Sequence, residues 1–165
     1  MAVGATRALD ALARAGVPHV VHEYEVHEPS GADRGRRSRW GDEAATALGV
    51  APERIHKTLI ASIDGRLAVA VVPVAVELDL KGLAGALAGR RAVMADPIEA
   101  ERATGYVPGG ISPLGQRRAL PTVIDAGAVD HETILVSAGR RGLQVELAPA
   151  DLVRLLDAIV APIGR

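Results

Sequence analysis

The feature of this sequence that most restricts its fold is the segment 104–121, TGYVPGGISPLGQRRALP, which contains four glycines and three prolines. Proline lacks an amide donor and glycine admits backbone angles closed to other residues, so no regular helix or central strand can run through it. Its apolar residues, among them Tyr106 and Ile111, argue against disorder. Since long ordered loops are usually functional, we expect a rigid loop whose main-chain N–H groups approach a bound molecule. A purely structural double turn is the alternative.

The glycines of this loop do not follow a nucleotide-binding pattern. No G-x-x-x-x-G-K-[ST] sequence occurs, and the spacing of Gly105, Gly109 and Gly110 differs from G-x-G-x-x-G. The sequence therefore does not predict a phosphate-binding loop of either kind.

The composition limits the partners and the chemistry. A length of 165 residues fits one domain over 1–165 with one core. A net charge of -1 leaves a nucleic-acid partner to local basic patches, and arginines cluster in 34–39, 117–118 and 140–141, although a solvated surface explains each cluster alone. Without cysteine the chain has no thiolate nucleophile, so thiol chemistry must come from a substrate. No run reaches the ~18 apolar residues of a membrane span, and we expect a cytoplasmic protein.

Three histidines near the N-terminus do not form a metal site. His19, His22 and His27 fall in or beside a predicted strand, 19–26, whose alternation prevents all three from sharing a face. No carboxylate pair completes a ligand set. We therefore expect neither a metal nor a cofactor.

Periodicity and turn residues predict helices that alternate irregularly with strands. Asp64-Gly65 is the strongest hairpin signal, and Pro73 indicates an edge or a bulge in the second strand of that hairpin. The tetrad 96–99, DPIE, has the cap, proline and acidic residue of a helix start. Since no regular βαβ alternation occurs, we expect an α+β fold, with a mixed, strongly curved sheet or half-barrel flanked by helices. The expected helices span 5–15, 42–48 and 80–87 and begin at 97 and 149, the last with Ile159 on its buried side; the expected strands span 19–26, 55–63, 67–76, 91–95, 122–125, 133–137 and 143–147.

Two biases in the composition single out candidate site residues. Of nineteen basic residues only Lys57 and Lys81 are lysines, and the only aromatic residues are Tyr24, Trp40 and Tyr106. The core must therefore be aliphatic, which leaves the aromatic residues free for a site. Lys57 lies near the start of the first hairpin strand, where a snorkelling edge lysine is the alternative, whereas Lys81 is expected to be exposed.

Five motifs occur in order along the chain: HKTL at 56–59, MADP at 94–97, TGYVPGGISPLGQ at 104–116, LPTVID at 120–125 and VSAGRRGL at 136–143. Together they resemble the YbaK family, whose members are free-standing aminoacyl-tRNA deacylases related to the editing domain inserted in bacterial prolyl-tRNA synthetases. The resemblance runs from the first predicted helix to the last. It implies the fold of that editing domain.

The resemblance also implies a site drawn from several parts of the chain, in which Lys57 is the essential lysine. The N–H groups of Gly109 and Gly110 are then placed to stabilise a developing oxyanion. Gln144 departs from the family pattern, which leads us to expect an acidic residue there, so its place in the site is open. The substrate-binding residues that we assign alongside are Tyr24, Trp40, Thr58, Ile111, Ser112 and Ser137.

The function that the resemblance implies is trans-editing: deacylation of mischarged tRNA, foremost Cys-tRNA(Pro), by attack of the substrate's own thiol on the aminoacyl ester. The implied partners are the aminoacyl-tRNA acceptor end and prolyl-tRNA synthetase. The alternatives are editing of alanine or serine, a non-catalytic module that binds the tRNA end, and a hydrolase that pairs Lys57 with Ser112 or Ser137. The segment between Tyr24 and Trp40, which includes the basic loop 28–39, is longer and more basic than in the bacterial type member and leaves the RNA contact open.

Overall fold

The computed structural model describes residues 4–26 and 39–165, with the side chains of Arg39 and Trp40 outside that description. The predicted basic loop therefore lies almost wholly outside the described residues. The elements are α1 (Arg7–Ala15), β1 (Val20–Glu23), α2 (Arg39–Leu48), β2 (His56–Ile63), β3 (Arg66–Pro73), α3 (Leu80–Ala86), β4 (Ala92–Met94), α4 (Pro97–Thr104), β5 (Thr122–Asp125), a 3-10 helix (Ala126–Asp130), β6 (Ile134–Ser137), β7 (Leu143–Leu147), α5 (Pro149–Leu156) and β8 (Ile159–Ala161).

The described strands form two sheets. The larger has the order β4-β2-β3-β5-β8, in which β4, β2 and β3 are antiparallel neighbours and β5 and β8 join in parallel. The smaller is antiparallel with the order β1-β7-β6. A single bridge from Ile55 to Leu135 connects the start of β2 to β6. The mixed α+β fold predicted from the sequence is confirmed, and the sheets do not close into a barrel.

The hairpin of β2 and β3 forms at its predicted turn. Asp64 and Gly65 both have positive φ, 50° and 87°, as the two-residue turn that suits the twist of a hairpin requires. Pro73 was expected to mark an edge or a bulge. β3 as a whole is a central strand between β2 and β5, but β5 pairs only with residues 69–71, so the side of Pro73 away from β2 is unpaired. Pro73 is the last residue of β3, where the missing N–H interrupts no further pairing.

Helix α4 begins and ends as its sequence predicts and delivers the chain into the glycine-rich loop. The Asp96 carboxylate accepts from the N–H groups of Ile98 and Glu99, Pro97 opens the helix, and Gly105 closes it with φ 80°. Residues 105–121 contain no helix or strand. The Tyr106 hydroxyl, however, donates to the Leu114 carbonyl at 2.6 Å, which ties the loop to itself.

Some predicted boundaries differ from the structure. Helix α5 ends at Leu156 because Asp157 adopts a left-handed conformation with φ 48°, so Ile159 begins β8 and is 44% exposed; the prediction that it lies on the buried face of the last helix is wrong. Helix α2 begins at Arg39, which places Trp40 inside it and not before it. Strand β1 ends at Glu23, one residue before Tyr24.

The core between and beside the sheets is aliphatic, as the composition predicts. The largest cluster packs α1, α4 and α5 against β2, β3, β6 and β7, with Leu12, Ile60 and Val145 among its buried members. A second cluster covers the other face of the larger sheet with α3, and a third holds α2 against Ile55 and Leu135. No helix in the described part of the chain is long and apolar enough to span a membrane.

Candidate active site

The candidate site is a cleft of about 420 Å³ along an open stretch of the β2 edge. Residues 56–59 pair with β3 on one side, whereas on the other side β4 pairs only from Ala61 onwards. β6 forms an isolated bridge with this part of the chain at Ile55 and does not pair along residues 56–59 in the described structure. Among the described residues, this leaves a gap in the sheet between β6 and β4. The glycine-rich loop and the first half of α4 line this gap.

The main chain of β2 faces this gap. The Ile60 carbonyl accepts from the Ala95 N–H at 3.0 Å, and the Arg54 carbonyl accepts from the Leu135 N–H at 2.9 Å, both on the side away from β3. Because main-chain groups alternate along a strand, the N–H and C=O of Thr58 point the same way. The cleft therefore offers a donor and an acceptor of the backbone as well as side chains.

Most of the residues predicted for the site line this one cleft. Its polar end holds Tyr24, which follows β1, together with Ser137 and Gln144 of the smaller sheet. Its other end holds Met94, Pro97 and Glu101 from β4 and α4. The predicted site residues among its lining are Tyr24, Lys57, Thr58, Gly109, Ile111 and Ser137.

Lys57 brings a positive charge into the cleft without an ion pair in the described residues. Burial lowers the pKa of the Lys57 ammonium, and the carboxylates of Glu77 and Asp42 oppose that shift from a distance. A half-buried ammonium that lacks a hydrogen-bonded counter-ion is poorly solvated, so it favours an incoming oxygen that carries negative charge.

Three buried polar atoms without a partner in the described residues belong to residues that line the cleft. They are Nε2 of His56, Oγ1 of Thr58 and Oε1 of Gln144. Buried polar groups are almost always hydrogen-bonded in native structures, because leaving one unpaired costs about 1–3 kcal/mol. All three atoms are buried beside one cleft, where polar side-chain groups lack protein partners among the described residues.

His56 is neutral at physiological pH. Its Nδ1 lies 3.2 Å from the Arg54 carbonyl, which fixes the proton on Nδ1 and leaves Nε2 as an acceptor. Burial lowers the pKa of His56 to about 4. His56 was not among the predicted site residues, because the family resemblance assigned the essential role in the HKTL motif to its neighbour Lys57.

The glycine-rich loop contributes unequally to the cleft. Gly109 lines it with φ 88°, a conformation that favours glycine, and its N–H has no partner among the described residues. The N–H of Gly110, by contrast, donates to the Val107 carbonyl at 3.0 Å. Gly110 is buried and does not line the cleft. The geometry thus leaves Gly109 as the loop donor and gives Gly110 a packing role.

Of the two predicted site serines, Ser112 and Ser137, only one lines the cleft. Ser112 is fully buried, its Oγ accepts from the Leu114 N–H at 3.2 Å, and it does not line the cleft. Ser137 lines the cleft, and its Oγ accepts from the Gly139 N–H at 3.2 Å. Only Ser137 is therefore placed to contact a ligand. The side chain of Trp40 lies outside the described residues, so its role stays a prediction.

Tyr24 and Gln144 form the polar end of the cleft. Burial raises the pKa of the Tyr24 hydroxyl, with the main chain of Gly142 and the side chain of Gln144 acting in the opposite direction. Gln144 is 8% exposed and pairs with His22 across β7 and β1. The sequence left open whether Gln144 belongs to the site, and the structure shows that Gln144 lines the cleft. A neutral amide here replaces the acidic residue expected from the family pattern.

No group of three His, Asp or Glu side chains in residues 4–26 and 39–165 is arranged to hold a metal ion. The chemistry available to the cleft is built from the Lys57 ammonium, the Glu101 carboxylate, neutral hydrogen-bonding groups and main-chain donors. Such a set can bind and polarise an oxygen ester, and it contains no cysteine thiolate as a nucleophile.

Comparison with solved structures places the fold among editing proteins. A structure described as a provisional trans-editing enzyme for prolyl-tRNA synthetase superposes with a TM-score of 0.79 at 25% identity, over 96% of this chain and 95% of that one. A second structure, of a protein described only as hypothetical, superposes with a TM-score of 0.83 at 25% identity over 97% and 100% of the two chains.

The chain belongs to the aminoacyl-tRNA editing domain family, whose model matches residues 39–155. It is also 39% identical over 124 residues to a protein of Enterococcus faecalis provisionally named Cys-tRNA(Pro)/Cys-tRNA(Cys) deacylase EbsC, covering 74% of this chain and 75% of that protein. The family resemblance read from the sequence is confirmed. Because editing of an aminoacyl-tRNA is hydrolysis of its ester bond, the chain is a deacylase that acts on aminoacyl-tRNA.

Proposed function

We propose that this chain is a trans-editing hydrolase that releases cysteine from mischarged tRNA(Pro). The observation that carries the proposal is the meeting of the Lys57 ammonium, the Gly109 main chain and three unpartnered polar groups in one cleft. Its volume of about 420 Å³ falls within the ~300–1,000 Å³ of small-molecule sites, which suits an aminoacylated terminal nucleoside better than a tRNA body. The name of the Enterococcus relative supports cysteine as the amino acid.

In this proposal each group of the cleft has one task. The Gly109 N–H donates to the carbonyl oxygen as negative charge develops on it, a type of contact worth about 3 kcal/mol in well-studied hydrolases. The Lys57 ammonium binds an oxygen of the ribose or phosphate next to the ester. Tyr24, Ser137 and Gln144 hold the amino acid at the polar end of the cleft.

The nucleophile comes from the substrate, since the chain contains no cysteine. The sulfur of the esterified cysteine attacks its own carbonyl carbon, so that a C–S bond forms and the C–O bond to the ribose breaks. The thiol proton passes to the departing ribose oxygen, which leaves a cyclic thiolactone and a tRNA with a free hydroxyl. Internal attack reaches effective molarities of ~10⁵ M or more when the groups are held in reacting geometry, so no protein nucleophile is required.

Prolyl-tRNA synthetase is the proposed partner for choosing the tRNA, because the cleft is sized for the acceptor end and because one matched structure is described as a trans-editing enzyme for that synthetase. We place the reaction in the cytoplasm, where tRNA is charged.

A panel of mischarged tRNAs tests the proposal. Purified protein is incubated with Cys-, Ala- and Ser-tRNA(Pro) and with Pro-tRNA(Pro), with and without prolyl-tRNA synthetase. Cys-tRNA(Pro) is expected to be deacylated fastest, and the synthetase to increase the preference for tRNA(Pro). Faster release of alanine or serine would replace the cysteine assignment, and tRNA binding without any release would assign the chain to a non-catalytic module.

The product of a single turnover tests the thiol step. Thiolactone is expected to appear before free cysteine. Free cysteine formed in the first turnover without a preceding thiolactone would contradict the internal attack.

A further inference from the structure

Two arginines converge beside the candidate site without a counter-ion. A Cβ built on Gly105 would clash with Nη1 of Arg7 and lie 3.0 Å from Nε of Arg117, so the two guanidinium groups meet above this glycine. Both residues are exposed, and neither side chain has a hydrogen bond or an ion pair within the described residues. Two like charges at this separation repel each other, so their juxtaposition gains nothing for the isolated fold.

Capping of α4 does not explain the pair, although Gly105 lies at the negative end of that helix. The carbonyl of Glu101 already accepts from the Gly105 N–H. The carbonyls of residues 103 and 104 accept from the main-chain N–H groups of residues 118 and 117, at 3.0 and 3.1 Å. The end of the helix is thus largely satisfied by main-chain donors, and the two guanidinium groups remain available.

The position of the pair relates it to the cleft. Gly105 begins the same loop whose later residue Gly109 lines the cleft, and Glu101, one turn earlier in α4, lines it as well. One helical turn is about 5–6 Å long, so the pair lies within a few nucleotides of a strand whose end occupies the cleft. Arg102 and Arg118, both exposed and without ion pairs among the described residues, lie in the same two stretches of chain and add to their positive charge.

We propose that Arg7 and Arg117 together bind a backbone phosphate of the tRNA acceptor strand, upstream of the nucleoside held in the cleft. The inference rests on the proposed function, because that function puts the 3′ end of an RNA in the cleft. Arginine is suited to the task, since its planar guanidinium donates two hydrogen bonds to a phosphate and stays charged at every physiological pH. A phosphate placed between the two groups also removes their mutual repulsion.

The test compares two double variants with equal loss of charge. R7Q/R117Q removes the pair, whereas R14Q/R66Q removes two arginines that are exposed and unpaired among the described residues and do not supply the atoms nearest Gly105. The thermal unfolding midpoints of both variants are expected to lie within about 2 °C of the wild-type value, because exposed charges without partners contribute little to stability. Binding of an uncharged, fluorescent RNA hairpin ending in CCA, one that carries no amino acid, is then measured over a series of KCl concentrations.

R7Q/R117Q is expected to bind the hairpin at least 10-fold more weakly than R14Q/R66Q at low salt. The slope of log Kd against log [KCl] is expected to fall by about 0.7 for each single-strand phosphate that the variant no longer binds. Equal binding by the two variants would overturn the proposal. So would tight binding of inorganic phosphate alone to the wild type with RNA affinity unchanged by R7Q/R117Q, because the pair would then serve a free anion.

Kinetics separate this inference from the proposed function. With Cys-tRNA(Pro), R7Q/R117Q is expected to raise KM and leave kcat near the wild-type value. With 3′-O-cysteinyl adenosine, which lacks upstream phosphates, it is expected to match the wild type. Equal losses on both substrates would overturn the phosphate contact. A wild-type protein that deacylates neither substrate would refute the proposed function, while the hairpin measurement would still decide the inference.

Discussion

At the scale of the single residue, Lys57 is the group around which the cleft is organised chemically. The neighbouring backbone is fixed by β3, since Lys57 pairs with Val72, and the side chain reaches the cleft past an edge that no strand covers in the described residues. The snorkelling lysine considered from the sequence would direct its ammonium to open water. Lys57 is instead half-buried in the cleft, and this burial lowers the pKa of its ammonium.

The first prediction concerns the loss of this charge. We expect Lys57→Ala to lower kcat for Cys-tRNA(Pro) by at least about 100-fold, the usual cost of removing one preorganised electrostatic contact. Thermal unfolding is expected to change little, because Lys57 forms no ion pair within the described residues. The matched control is Lys81→Ala, at the only other lysine, which is exposed in α3. Wild-type turnover by Lys57→Ala would remove Lys57 from the site.

The second prediction concerns pH. Because burial lowers the pKa of Lys57, its ammonium is lost at a lower pH than that of an ordinary lysine, and activity that depends on the charge falls as pH rises through that pKa. Lys57→Arg keeps its charge throughout, so the ratio of wild-type to Lys57→Arg kcat/KM is expected to decline at alkaline pH. The ratio cancels the ionisation of the substrate thiol and the spontaneous hydrolysis of the ester. A ratio that is constant with pH would contradict a role for the ammonium.

At the scale of the element, the glycine-rich loop is held by contacts that admit no side chain. A Cβ on Gly110 would lie 2.8 Å from Cα of Arg140, and one on Gly115 would lie 2.6 Å from the carbonyl carbon of Arg7. The loop is therefore pressed against the 138–142 turn on one side and against α1 on the other. This packing fixes where the cleft-lining Gly109 lies, so the structural contacts of the loop determine the shape of the cleft.

The third prediction tests that packing. Gly110→Ala is expected to destabilise the protein by about 1–3 kcal/mol, the usual cost of overpacking, because the obstacle is backbone and not a movable side chain. It is also expected to lower kcat/KM by shifting Gly109. The control is Gly85→Ala in α3, where a Cβ meets nothing within 4 Å and should be neutral or stabilising by up to about 1 kcal/mol. Wild-type stability and kcat/KM in Gly110→Ala would show that the loop tolerates displacement.

Local signals in the sequence were sufficient for elements that are defined by a few adjacent residues. The Asp64-Gly65 turn and the capped start of α4 at Asp96 were predicted because their stabilising contacts lie within four residues. The end of α5 was not, since the left-handed Asp157 interrupts an apolar pattern that itself continues to Ile159. The central position of β3 was missed for a different reason: it depends on β5, which arrives about fifty residues later.

At the scale of the whole molecule, the cleft exists because of strand order. β2 is left open along residues 56–59 since β4 is too short to cover it and β6 belongs to the other sheet. No local sequence pattern predicts such a gap. Only the resemblance to a family assigned Tyr24, Lys57 and Gly109 to the same site before the structure was known. His56 was missed and the place of Gln144 was left open. The lack of a hydrogen-bond partner for their polar atoms can be recognised only when the fold shows that these atoms are buried.

The fourth prediction concerns global stability and His56. Its folded pKa of about 4 lies below the ordinary 6.5, so between these values the unfolded chain binds a proton that the folded chain does not. The free energy of unfolding therefore falls as pH drops from about 6.5 to about 4, by about 1.4 kcal/mol per unit and about 3 kcal/mol in all. We expect urea unfolding of His56→Asn, which cannot titrate, to lack this component, whereas the control His19→Asn retains it. Parallel pH profiles for wild type and His56→Asn would contradict a buried neutral histidine.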